Sequence, residues 1–117
     1  KDQLARFRQT FRAAEDGSLR SQLEEIVKAW KAGDARRLAD TLQRAEVSDP
    51  SSRAVMKELL DHRNQEMTDS IVRLARGGRS AFVVIGSAHL VGPEAIPLLL
   101  EARGLRVRQL ATAEPVR

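Results

Sequence analysis

The residues with the widest chemical scope lie in one short stretch, Gly86-Ser87-Ala88-His89-Leu90-Val91-Gly92-Pro93. A histidine on a glycine-bounded loop can ligate a metal or act as a general base or acid, because its ring changes protonation near neutral pH. Gly86 and Gly92 let such a loop turn tightly and bring backbone close to a ligand, which makes Gly86 and Ser87 the candidate substrate-binding residues. The other role open to His89 is structural, a ring bonded to a loop carbonyl, and spacing alone does not choose between the two. Ser87 does not read as a nucleophile. The run is not a glycine-x-serine-x-glycine elbow, and a serine and histidine so close in sequence rarely form a working pair.

A second polar group is His62-Arg63-Asn64. His62, between Asp61 and Arg63, reads as a surface histidine. Arg63 and Asn64 read equally as a solvated pair on a helix or, beside an inward stripe, as anchors for a carboxylate, a phosphate or a peptide carbonyl.

These groups need elements to hold them. Leu4, Phe7 and Phe11 keep helical spacing until Gly17-Ser18, where Ser18 offers an N-cap for the next helix. Leu19, Leu23, Ile26, Val27 and Trp30 then form an amphipathic stripe. Gly33-Asp34 supplies a glycine stop followed by an N-cap, which predicts a helical hairpin with a short helix carrying Leu38 and Leu42. Asp49-Pro50 opens a long helix that runs to about Arg76, with Val55, Leu59, Leu60, Met67, Ile71 and Leu74 on its apolar side and Gly77-Gly78 at its end.

The pattern changes at Ser80. Ala81-Phe82-Val83-Val84-Ile85 is apolar without alternation, as expected of a strand covered on both faces in a parallel sheet. After the His89 loop comes a helix with Ile96, Leu98, Leu99 and Leu100, ending at Gly104, and then Leu105 to Leu110 alternate like an edge strand. The expected fold class is α/β and helix-rich: the C-terminal half of an α/β domain, a helical hairpin plus a long helix followed by a β-loop-α-β unit with parallel strands. Residues 1–117 form a single partial domain, with a helical insertion over 1–47 and the long helix plus β-α-β segment over 50–110. Two parallel strands do not make a stable sheet, so further strands are expected from a missing N-terminal half, or from a homo-oligomer formed through exposed strand edges.

The composition narrows the classes of function. The chain has 117 residues, 42% hydrophobic, which is enough for one core and no more. Cysteine is absent, so disulfide frameworks and cysteine-based zinc sites are excluded. The longest apolar runs fall far short of the ~20 residues of a spanning helix, so this segment reads as soluble. A net charge of +4 comes from 20 basic and 16 acidic residues interleaved along the chain, without aromatic stacking platforms, and nucleic acid is not an expected partner.

The run Leu59-Leu60-Asp61-His62-Arg63-Asn64-Gln65-Glu66-Met67, followed by the Gly86 to Pro93 stretch and Arg103-Gly104-Leu105-Arg106-Val107, resembles the TraB/GumN family. Ala29 to Asp34 resembles the family's tryptophan and glycine-aspartate turn. The resemblance implies a bacterial cell-envelope or periplasmic protein, related to the Tiki proteases, with metal-dependent hydrolysis of peptides or proteins as its proposed activity. It also implies two glycine-x-x-histidine elements; Gly86 to His89 matches the second, and the first has no counterpart here. By resemblance His89 would be a divalent-metal ligand, with Arg63 and Asn64 completing the catalytic set. The segment alone, lacking the metal's other ligands, is expected to be inactive and to hold no metal tightly. The competing reading is a non-catalytic envelope binding or assembly protein that docks through the helical surface around Trp30.

Overall fold

In a computed structural model, residues 2–45 and 50–110 are described, and the chain divides into two compact units, Lys1–Pro50 and Ser51–Arg117. The first contains α1 (Asp2–Glu15), α2 (Ser18–Lys31) and α3 (Ala35–Ala45). α2 packs on both α1 and α3.

The turns that make this unit follow from the sequence. Gly17 takes φ 78°, and the Asp16 carboxylate accepts the Ser18 N–H at 2.9 Å, so Ser18 is the first residue of α2 and Gly17 stands at the cap. Gly33 takes φ 65°, and the N–H of Asp34 returns to the Ala29 carbonyl at 3.1 Å, a closure that favours a residue without Cβ. Asp34 then caps α3 by accepting the Arg37 N–H at 2.9 Å. Ala29, Leu38 and Thr41 are buried between the helices, and Glu25 joins α2 to α3 through Arg37 at 2.7 Å. The stripe on α2 is buried along one edge only. Ile26 is half-buried, while Leu23, Val27 and Trp30 face solvent.

The second unit is built on α4 (Pro50–Arg76), the 27-residue helix that carries Arg63 and Asn64. Asp49, the expected cap, lies outside the described residues. Gly77-Gly78 ends the helix as expected, with Gly78 at φ 71°. The buried face is not the whole apolar side read from the sequence. Val55, Leu59 and Leu74 are exposed, and the inward row is Asn64, Thr68 and Val72, flanked by half-buried Leu60, Met67 and Ile71. α5 (Ile96–Ala102) begins after Ala95, with Pro97 in its first turn, and ends at Gly104, φ 85°, where the Leu105 N–H reaches the Leu100 carbonyl at 3.1 Å.

The expected β-loop-α-β unit with parallel strands is not present. Among the described residues there is no strand and no sheet; the chain is helical, with irregular connections. A strand is defined by the ladder it shares, and neither Ala81–Ile85 nor Leu105–Leu110 has such a partner among the described residues. Apolar content alone does not create one. Phe82 and Val84 are 93% and 81% exposed, so the run that reads as a fully covered strand is instead the most open apolar segment described. The α/β class is therefore corrected to all-helical for the described residues. None of their helices is long and apolar enough to cross a membrane.

Candidate active site

Residues 25 apart in sequence meet in the second unit. The Gly86-x-x-His89 stretch forms a single 3₁₀ turn, Ser87–His89, closed by the His89 N–H on the Gly86 carbonyl at 3.0 Å and the Leu90 N–H on the Ser87 carbonyl at 3.0 Å. This turn carries the half-buried His89 ring to α4, where Nδ1 lies 2.6 Å from Oδ1 of Asn64.

The protonation of that contact follows from its neighbours. Asn64 is 2% exposed, and its Nδ2 donates to the Glu94 carbonyl at 2.8 Å. A carbonyl only accepts, so the amide's orientation is fixed and Oδ1 is left as the acceptor toward His89. Nδ1 must therefore carry the proton. In the neutral ring the lone pair is then on Nε2, the nitrogen that can ligate an ion or accept a proton. Among the described residues Nε2 has no hydrogen-bond partner.

The support beneath Asn64 is firm. Thr68, fully buried one turn later, donates its hydroxyl to the Asn64 backbone carbonyl at 2.7 Å, and Ala95 and Ile96 are buried beside the Glu94 carbonyl in sequence. Arg103, beyond the end of α5, reaches α4 through an ion pair with Asp69 and a 3.3 Å bond to Gln65. A turn before Asn64 on the same helix face, Lys57 pairs with Asp61. That hydrogen bond raises the Lys57 ammonium above its ordinary pKa, with the Glu94 carboxylate adding a weaker attraction.

The other sequence candidates are placed differently. Arg63 is exposed and has no described partner, so it stands apart from the Asn64–His89 contact. His62 is exposed, 3.7 Å from Glu66, on the outer side of α4. Ser87 is half-buried at the start of the 3₁₀ turn. Gly86 has φ −66° and ψ 144°, an ordinary extended conformation, whereas Gly92 takes φ 93° and is the one glycine of this loop that its backbone demands. Thr68 and Glu94 were not among the sequence candidates. Thr68 falls at the helical spacing of Asn64 and could have been found there, but Glu94 acts through its backbone and leaves no mark in residue type.

Residues 1–109 match the sequence model of the TraB/PrgY/gumN family. The chain belongs to the TraB/PrgY/gumN family. The resemblance carried by the α4 run and the Gly86 to Pro93 stretch is thereby borne out, and the two motifs it joined are in contact through Asn64 and His89. No curated protein and no solved structure matches the chain. The divalent metal expected from the resemblance is not tested by this match, and the described residues do not form a complete site for one. No group of three or more His, Cys, Asp or Glu stands together among them, and His89 offers a single donor where a catalytic ion takes about three protein ligands.

Proposed function

We propose that this chain contributes one part of the hydrolytic site of a cell-envelope peptidase, with His89 as its working group and Asn64 as the residue that positions it. The supporting observation is the 2.6 Å contact in which Asn64 takes the Nδ1 proton and leaves the Nε2 lone pair available. Such a nitrogen can accept a proton from an attacking water or can serve as one donor to a divalent ion. The other donors would come from polypeptide outside the described residues. Arg63, exposed on α4, would meet a carboxylate or carbonyl oxygen of a peptide, and Gly86 and Ser87 would border the bound chain.

The test is peptide hydrolysis by the full-length protein. His89→Ala is expected to abolish it while leaving helicity unchanged. Loss of wild-type activity on chelation, restored by a divalent ion, assigns His89 the ligand role; chelator-resistant activity that still needs His89 assigns it the proton-accepting role. Full activity in His89→Ala would sink the reading.

A second reading has an observation of its own. Leu23, Val27 and Trp30 are 54%, 45% and 61% exposed on one side of α2, an apolar ridge suited to docking another protein. A binding or assembly protein would be indifferent to His89→Ala and would lose its partner with Leu23→Asp or Trp30→Asp.

A further inference from the structure

We infer that Gly86 is a glycine for the sake of His89: its missing side chain keeps the Nε2 edge of the ring open to whatever the site takes. The inference rests on the hydrolytic reading above and adds a steric determinant to it. Backbone conformation does not explain the glycine, since φ −66° and ψ 144° suit any L-residue. Its one close neighbour is His89. Gly86 caps the Ser87–His89 3₁₀ turn from an extended conformation, and the His89 N–H on the Gly86 carbonyl holds the two residues together.

A Cβ placed on Gly86 would meet one atom within 4 Å, Cδ2 of His89 at 3.8 Å. Cδ2 is bonded to Nε2 and lies on the ring edge away from the Asn64 contact. A single methyl is therefore tolerated, but a longer side chain that turns toward the ring covers the edge that carries the lone pair. Gly86 itself is exposed, so this edge opens to solvent and not into the core. The glycine-x-x-histidine spacing thus has a physical meaning. One turn of 3₁₀ helix presents the ring, and the residue beneath it stays out of the way.

The test reads access without needing activity. Diethyl pyrocarbonate acylates the unprotonated nitrogen of histidine, and peptide mapping separates His89 from exposed His62, which serves as an internal reference. Carbethoxylation of His89 in the full chain is expected to slow by about tenfold in Gly86→Leu, equivalent to ~1.4 kcal/mol in barrier. The His62 rate and the helical circular dichroism should not change. Should the Leu variant not fold, Gly86→Met, whose unbranched side chain also extends beyond Cβ, carries the test with a slowing confined to His89. An unchanged or faster His89 rate in the folded variant overturns the inference while leaving the hydrolytic reading intact. Full hydrolysis by His89→Ala would end that reading without altering the access measurement.

Discussion

At the scale of single residues, the site depends on one buried amide. Asn64 makes two hydrogen bonds from a position 2% exposed, one to the Glu94 carbonyl and one to the His89 ring. Replacing it with Ala removes both and leaves the carbonyl without its partner, a loss of about 2–4 kcal/mol by the usual cost of such bonds and of an orphaned acceptor. Urea denaturation of Asn64→Ala should show a loss of that order, and a change within error of zero would mean that the amide does not hold the loop. Part of this was legible beforehand. Asn64 falls at helical spacing from Leu60, Met67 and Ile71, so a polar residue in an inward row was visible, as was the histidine on its glycine-bounded loop. Their meeting was not. A contact across 25 residues depends on how the loop after α4 returns to the helix, and Glu94 joins it through a backbone atom that residue type does not encode.

At the scale of elements, the helices were readable because their signals are local. The glycines at 17, 33, 78 and 104 all take positive φ at or near the breaks where they were expected, and Asp34 caps α3. The misread elements were the two strands, Ala81–Ile85 and Leu105–Leu110, because an apolar or alternating run reports what a segment would gain from cover and says nothing of whether a partner is present. In the first unit the electrostatics give a direction with pH. The Glu25 carboxyl is held below its ordinary range, chiefly by its hydrogen bond to Arg37 and by that charge, and Asp16 is held low by its bonds to Ser18. A carboxylate depressed in the folded state adds stability above its unfolded pKa and loses it as pH falls through the folded value. Helicity of this unit should therefore decline as pH drops below about 4.5. Asp16 is exposed and Glu25 only half-buried, so the decline should be small and salt-sensitive. Circular dichroism followed from neutral to acid pH at two salt concentrations checks this, and rising helicity over that range would contradict it.

At the scale of the whole molecule, the described residues hold His89 firmly against Asn64 without the company that metal chemistry needs. One imidazole nitrogen is not a metal centre, and the described residues bring no cluster of further ligands to it. Zinc titrated into residues 1–117 should therefore show no saturable micromolar site that depends on His89. A stoichiometric site lost in His89→Ala would mean that the chain holds a complete donor set. Phe82 and Val84, and the ridge of Leu23, Val27 and Trp30, are open apolar surfaces of the two units. The hydrolytic reading depends on which nitrogen of His89 is available, and that is directly measurable. Long-range ¹H–¹⁵N correlation of the imidazole, at a pH where the ring is neutral, should find Nδ1 protonated and Nε2 carrying the lone pair, with Asn64→Ala releasing the ring toward the Nε2–H form. A wild-type His89 found already as the Nε2–H tautomer would contradict the account at its centre.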